Sequence, residues 1–384
     1  MSLRVLLTTT VCWPSGARLV GAFARVGAHV EALLPAGHVA AQSRYLAARH
    51  PYDPLFPRAS LRRALADAAP DLIVPCDDRA LAHLLDAARR LPGAADIVVR
   101  SLGAPQAYRQ LVARSAFIEA ARALRIEAPQ TVQISSKDEY RAALRQFGPR
   151  AVLKVDGSWG GEGVAILHDA AKADCAWNRL ALPPSRGRSL ARAILRRDRH
   201  FLHEALSRPK ASLSLQQFVP GTPATTAFAC WKGRVLASLH MDVLETLHPQ
   251  GPATVMRRID CPDMESAAVK LAERFGLSGL HGLDFIRDAG GRAHLIEINP
   301  RATQICHLAL GAGHDLPATL IGLSPRPVAT AKTLIALYPQ AWEEGAPPPP
   351  DTAYRDVPWD DPGLLSTWGG TTPILGDAAK TGAF

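Results

Sequence analysis

The sequence has no apolar run near the ~20 residues that cross a bilayer, so no membrane span is expected. Cysteine is scarce and scattered. Cys12, Cys76, Cys175, Cys230, Cys261 and Cys306 form no CxxC pair and no zinc spacing. A disulfide framework or a zinc module is therefore not expected; the pattern predicts reduced, mostly packed thiols in a cytoplasmic protein. No GxGxxG follows the first predicted strand, so a dinucleotide site has no support, and no GK[ST] opens a helix, which excludes a Walker A loop. No internal repeat is visible. The opening MSLRVLLTTTVCWPSG has an apolar patch too short and too rich in threonine for a signal peptide, and reads as a first strand.

What is present is an ordinary globular composition, 47% hydrophobic and 21% charged, on 384 residues, enough for two or three domains. The net charge of +9 is localised: between Arg179 and Lys210 nine basic residues stand against Asp198 and Glu204. They are not interleaved with the stacking aromatics of a single-strand platform, so the arm fits an anionic substrate or a solvated helix face better than nucleic acid.

Along the chain, 4–10, 30–34 and 71–75 read as strands, and 16–27, 61–69 and 79–90 as helices, an alternation that predicts a parallel sheet. Asp77 and Asp78 follow a strand end, where ligands of α/β folds sit; opening a helix is their simpler use. Residues 104–124 read as one helical stretch, and 135–147 as a helix opened by a Ser-Ser-Lys-Asp cap. Two apolar strands, 151–155 and 164–167, flank a loop with Gly157, Gly160, Gly161 and Gly163. Such a loop lets backbone N–H groups wrap oxyanions, Ser158 adds a hydroxyl, and Lys154 precedes it on a strand. The segment 212–221 is a strand ending at a Pro-Gly break, and 305–310 is expected to be helical.

The stretch 280–301, LHGLDFIRDAGGRAHLIEINPR, predicts a hairpin with Asp288-Ala289-Gly290-Gly291 as its loop. That loop sets Arg287 opposite Arg292, Asp284 opposite Leu295 and Glu297 opposite Gly282. Asp284 and Glu297 are then diagonal neighbours about 7 Å apart. Leu295, Glu297 and Asn299 are expected on one face, Ile296 and Ile298 on the other. Singly, each acid could be a solvated strand-end residue. Together, Asp284, Glu297 and Asn299 suit a hard cation bound with substrate phosphates, and Arg301 sets a planar cation beside it.

KVDGSWGGEGV, QQFVPG and DFIRDAGGRAHLIEINPR, in that order, resemble the ATP-grasp superfamily over residues 3–323. The resemblance implies a mixed α/β and α+β chain: a Rossmann-like parallel-sheet domain at 1–103, an ATP-grasp domain of two α+β subdomains at 104–325 (glycine-loop subdomain about 150–217), and a Pro-rich extension at 326–384. It implies Lys154 and Arg114 as phosphate-binding cations, Ser158, Gly160, Gly161 and Gly163 as the flexible loop, and Gln217, Phe218 and Val219 as the adenine-binding hinge. It also implies Asp284, Glu297 and Asn299 as ligands of Mg²⁺, with Mn²⁺ as the alternative ion, and Arg301 and Lys154 as catalytic. Arg257 and Arg258, near the acceptor side, are the substrate residues it suggests.

Three features depart from the family pattern. Pro223 and Ala224 stand where a ribose-binding Glu is usual, Asp284 replaces the commoner Glu or Gln, and 171–206 is a long basic insertion. No biotinylation segment appears. The implied activity is an ATP-dependent ligase that joins a small-molecule carboxylate to an amine through an acyl phosphate. Carboxylase, kinase and nucleotide-binding regulator are the alternatives. No nucleic-acid or membrane partner is expected, and a homodimer is compatible with the reading. The tail beyond Pro325 is expected to lack regular structure.

Overall fold

The computed structural model describes residues 2–148, 150–155, 163–181 and 212–367, with isolated positions at 187, 190–191, 194–195 and 206. The first unit contains β1 (Arg4–Thr8), α1 (Pro14–Arg25), β2 (His29–Leu34), β3 (Ala48–Pro51), α2 (Pro57–Ala68), β4 (Leu72–Pro75), α3 (Asp78–Arg90) and α4 (Ala94–Leu102). Its four strands are all parallel in the order β3-β2-β1-β4. The chain grows outward from β1 through β2 to β3, then returns to the other side of β1. The carboxyl ends of β1 and β4 are therefore the point where strand order reverses, which is where such sheets hold ligands.

The 104–124 stretch is not one helix. It is broken into α5 (Tyr108–Leu111) and α6 (Arg114–Ala123), with Ala113 extended between them. Apolar spacing carried through both pieces, and so hid the break that frees Arg114 to open a helix. Next come β5 (Thr131–Ile134), α7 (Lys137–Phe147), β6 (Ala151–Val155), β7 (Val164–Leu167), α8 (Ala170–Leu180) and β8 (Leu213–Gln217). The strands make a small antiparallel sheet, β5-β8-β6-β7. Helix α7 starts as a reciprocal cap: the Ser136 hydroxyl accepts from Glu139 N (3.2 Å), and the Glu139 carboxylate accepts from Ser135 N (2.8 Å).

The third sheet has seven strands: β9 (Thr222–Trp231), β10 (Arg234–Thr246), β11 (Ala253–Arg258), then after α9 (Pro262–Phe275) β12 (Gly279–Arg287) and β13 (Ala293–Asn299), and after α10 (Leu316–Leu320) β14 (Leu334–Leu337) and β15 (Tyr354–Asp356). Its order is β13-β12-β9-β10-β11-β14-β15. Two expectations fail here. Within 305–310 the chain makes a turn at 305–307 and a bridge at Ala309, and the helix falls at α10 instead. The proline-rich tail supplies β14, β15 and α11 (Pro362–Thr367), because its prolines lie in the 339–350 connection and at the ends of these elements.

Each face of the large sheet packs against elements of the first unit. Phe228, Leu283, Phe285 and Leu295 join a core with Leu81 and Leu84 of α3 and Met264 and Leu271 of α9. On the other face Ala227, Leu239, Met241 and Ile335 join Leu19, Val20 and Phe23 of α1. The first unit is welded to the sheet backbone-to-backbone as well: Ser278 N donates to Leu102 O at 3.1 Å, and Gly103 bridges Leu277.

Gly103 has φ +86°, and a Cβ there would lie 2.2 Å from Gly276 O. Gly37, at φ +77°, has open space where a Cβ would stand, with nothing within 4 Å. Gly103→Ala is expected to cost about 2–4 kcal/mol in urea unfolding, against about 1 kcal/mol for Gly37→Ala, since only the first adds a backbone clash to left-handed strain.

Candidate active site

The hairpin β12–β13 forms, but in a different register from the one its turn suggests. The loop takes in Asp288 to Arg292: the Asp288 carboxylate accepts from Gly290 N (2.9 Å) and Arg292 N (3.0 Å), and Arg287 pairs with Ala293. A bulge between Asp284 and Phe285 then places Phe285 opposite Leu295 and Asp284 opposite Glu297, leaving Ile296 as the extra residue. Two corrections follow. Asp284 and Glu297 are direct cross-strand partners rather than diagonal ones. Leu295 lies in the core with Ile298, while Glu297 and Asn299 belong to the opposite face.

Facing carboxylates repel, and Asp284 registers it. Burial and the Glu297 charge together raise its pKa, against hydrogen bonds from Thr225 and Asn299. Thr225 Oγ1 donates to Asp284 Oδ1 at 2.9 Å, and Asn299 Nδ2 donates to Asp284 Oδ2 at 2.8 Å. Glu297 is met from α6, where Arg114 Nη1 lies 3.1 Å from Glu297 Oε2. Arg114 is the first residue of that helix, so its charge adds to the positive end of the helix dipole. That position disfavours a cation and attracts anions, which gives the site an electrostatic use for Arg114 beyond the Glu297 pair.

Arg301 completes the row. Its Nη2 donates to Asn299 Oδ1 (3.1 Å) and its Nε to Asp78 Oδ1 (3.0 Å). Asp78 comes from the first turn of α3, at the strand-order reversal of the first unit. Asp77, beside it, is the N-cap: it accepts from Ala80 N (2.8 Å), Thr10 N (2.6 Å) and the hydroxyls of Thr9 (2.8 Å) and Thr10 (2.9 Å). The helix-opening use falls to Asp77, whereas Asp78 reaches the hairpin. The position after a strand end was the one sequence signal for Asp78; Thr225, inside an apolar strand, gave none.

Lys154 is 5% exposed on β6. Alternation and pairing put it on one face of the small sheet with Ser214 and Gln216, and Gln216 Nε2 reaches Ile296 O at 3.4 Å. The Lys154 face is thus turned toward β13. Gln217 N donates to Gln130 O (2.9 Å) at the end of β8, and the Arg150 guanidinium lies 4.2 Å from the centre of the Phe218 ring, with Val219 half-buried next to them. Gly163 is buried, and its carbonyl accepts from Val155 N at 2.8 Å. Ser158, Gly160 and Gly161 lie outside the described residues. Ala224 is in the core, so it cannot face a ribose.

The two substrate arginines separate. Arg258 pairs with Met241, Met241 with Thr225 and Thr225 with Asp284, so Arg258 shares the site's face, three strand spacings or roughly 14 Å from Asp284. Its Nη1 donates to Leu310 O at 3.3 Å. Arg257 pairs instead with Asp242, and Asp242 with Ala224, on the reverse face, where the Asp242 carboxylate holds Arg257 at 2.8 Å and Arg287 at 2.7 Å. The structure does not bring Arg257 to the site.

Two facing carboxylates with an amide and two arginines around them fit a hard divalent cation carrying phosphates: the cation would offset the repulsion that raises the Asp284 pKa, and the arginines would offset the phosphate charge.

Asp77 and Asp78 are expected to behave differently. Asp77→Ala removes four hydrogen bonds in a buried turn and should cost about 2–4 kcal/mol. Asp78→Ala breaks a partly exposed pair and should cost under about 1 kcal/mol. Equal losses of denaturation midpoint in the two variants would contradict this division.

Residues 184–304 match the ATP-grasp domain family. No curated protein matches the chain. Among solved structures, a biotin carboxylase–ATP complex from Campylobacter jejuni superposes with a TM-score of 0.61 at 11% identity, over 88% of this chain and 74% of that one. Carboxyaminoimidazole ribonucleotide synthase from Aspergillus clavatus, complexed with ATP, gives 0.59 at 14% identity, over 85% and 78%. The biotin carboxylase domain of Hydrogenobacter thermophilus 2-oxoglutarate carboxylase, with MgADP, ADP and bicarbonate, gives 0.58 at 12% identity, over 85% and 72%. Identities this low speak for fold alone: residues 184–304 match an ATP-grasp domain, and the chain shares the fold of these ATP-grasp enzymes, with a parallel-sheet domain in front.

Proposed function

We propose that the chain is an ATP- and Mg²⁺-dependent ligase that phosphorylates a small carboxylate and joins the resulting acyl group to an amine, releasing ADP and phosphate. The observation that carries the reading is the convergence of Asp284, Glu297, Asn299, Arg301 and Arg114, drawn from two strands, the chain just beyond them and a helix, with polar contacts of 2.8–3.1 Å among them. Asp284, Glu297 and Asn299 would hold the metal, which supplies charge neutralisation between the phosphates.

The chain's own groups do the rest. Lys154 and Arg114 would take the phosphate oxygens of ATP, and the 217–219 hinge its adenine. Arg301, pinned by Asp78 and Asn299, would present its guanidinium to the phosphoryl group in transit without reorganising. Ser158, Gly160, Gly161 and Gly163 would close over the phosphates and keep water from the acyl phosphate. Arg258, on the same face, remains a substrate residue in this reading, and Arg257 does not.

Bicarbonate is the first acid to test, because one of the similar folds was solved with it. With bicarbonate the same steps would give a carboxylated amine. A screen of acids against amines, following phosphate release with ATP and Mg²⁺, tests the reading; ADP formation that needs neither acid nor amine would overturn it.

Two variants follow from the geometry. Glu297→Gln removes one metal charge from a side chain that is 26% exposed, and is expected to abolish turnover while leaving the unfolding transition in place. Arg301→Ala is expected to lower kcat by roughly 10²–10³ with ATP binding little changed, and Arg301→Lys to retain part of the rate, since it keeps the charge but loses the fork. Steady-state kinetics with separate nucleotide titrations check both; a wild-type kcat in either alanine or glutamine variant would remove that residue from the chemistry.

A further inference from the structure

The buried stretch of β9, residues 224–230, is apolar except at Thr225 and Thr226. Thr226 serves the reverse face, where its hydroxyl meets His240 Nδ1 at 2.9 Å. Thr225 faces the candidate active site. It pairs with Asp284, and Asp284 with Glu297, so one row runs Glu297, Asp284, Thr225 across β13, β12 and β9. Strand propensity and packing at a buried position of this shape are met equally by valine. The hydroxyl is what packing leaves unexplained.

That hydroxyl acts on Asp284 from the side away from Glu297. Thr225 Oγ1 donates to Asp284 Oδ1 at 2.9 Å, so it draws the carboxylate in the direction in which Glu297 repels it. Glu297 has its own anchor in Arg114 of α6, at 3.1 Å. Neither anchor comes from the hairpin itself, so the separation of the two acids is set from outside it. Asn299 Nδ2 holds the second oxygen, Oδ2, at 2.8 Å. Each oxygen of Asp284 thus accepts one hydrogen bond from these neutral donors and keeps a lone pair.

The Thr225 hydroxyl also has a second acceptor, Leu283 O, at 3.2 Å. One proton serves one acceptor at a time, and the carboxylate is both nearer and charged, so it takes the bond. The carbonyl matters once the charge on Oδ1 is drawn elsewhere. The proton can then turn to Leu283 O, and a donor on a residue only 8% exposed is not left unmet.

We propose that Thr225 is a positioning residue for the divalent cation. It holds Asp284 back from Glu297 with a lone pair free, and passes its proton to Leu283 O when the carboxylate charge is engaged. It touches neither substrate nor the reacting atoms. The inference rests on the reading of Asp284 and Glu297 as metal ligands in the proposed function.

Mn²⁺ binding to the full chain, followed by the electron paramagnetic resonance signal of the free ion, tests it without turnover. Saturable binding by the wild type that is lost in Asp284→Ala is expected. No binding, or binding unchanged in Asp284→Ala, would overturn the metal reading and this inference with it. With the ion placed at Asp284, Thr225→Val is expected to raise the Mn²⁺ dissociation constant about 10–100-fold, as for other groups that orient a metal ligand. Thr225→Ser, which keeps the hydroxyl and drops the methyl, should retain most of the affinity. Circular dichroism of the metal-free variants checks folding; if Thr225→Val does not fold, Thr225→Ala against Thr225→Ser makes the same comparison. An unchanged dissociation constant in the variant that lacks the hydroxyl would overturn the proposal. Equal losses with and without the hydroxyl would do so too, since they would assign the effect to packing.

Discussion

Two carboxylates held face to face across a pair of strands are an unfavourable arrangement, and the rest of the site can be understood as what makes it tolerable. Without partners the two carboxylates would be driven apart. Thr225 and Asn299 donate to the first, Arg114 meets the second, and Arg301 closes the row through Asn299. The partners come from β9, β13, the first turn of α6 and the chain just beyond β13. No isolated hairpin could assemble them. The bulge at Ile296 is the local device: without it the core residues Leu295 and Ile298, three apart, could not share a face, and Glu297 would not stand opposite Asp284.

The first unit takes part through a single turn. Asp77 commits its carboxylate to four hydrogen bonds that fix the loop after β1 to the start of α3. That rigidity places Asp78, the next residue, against Arg301 at 3.0 Å. Burial works against the Arg301 charge, but Asp78, Asp77 and Asp284 more than offset it and raise its pKa. Ala302 N also donates to Pro75 O at 3.0 Å, so the chain leaving the hairpin is tied to the end of β4 immediately after Arg301. A parallel sheet that carries no dinucleotide fingerprint thus has a structural use, as the platform that orients one arginine of another sheet.

Much of this was legible in the sequence, and the failures are instructive. The parallel sheet could be read from its alternation, because each of β1, β2 and β4 is an apolar run buried on both faces. That Asp284, Glu297, Asn299 and Arg301 lie close together could be read from the hairpin pattern of 280–301. Its geometry could not, because a bulge leaves no mark in a pattern of period two: IEIN and LIEIN alternate equally well. Arg257 and Arg258 show the same limit from the other side. Adjacent strand residues always point to opposite faces, so at most one of them could serve a site on one face, but only the pairing with Asp242 and Met241 says which. The missed helix break before Arg114 and the helix displaced from 305–310 to α10 are cases where hydrophobic spacing continued through a change of backbone.

The tail is the clearest case of tertiary structure overriding composition. Proline is excluded from the middle of a sheet but not from its edge or its connections, and that is how 326–367 uses it. β15 adds to β14 in parallel at the outer edge, and its last residue, Asp356, is driven into the interior by Arg18 and His307. Burial alone would raise the pKa of that carboxyl; Arg18 and His307 hold it below its ordinary value, so the charge persists inside. Asp361 then ties the tail to the first unit, accepting from the Ser43 hydroxyl and from Arg44 N at 3.1 Å. Without the tail, Arg18 would be a buried cation without the Asp356 counter-charge and β11 an open edge. Either loss disfavours the fold of the first unit as well as the sheet, so residues 326–367 are part of the same cooperative structure as the strands they join.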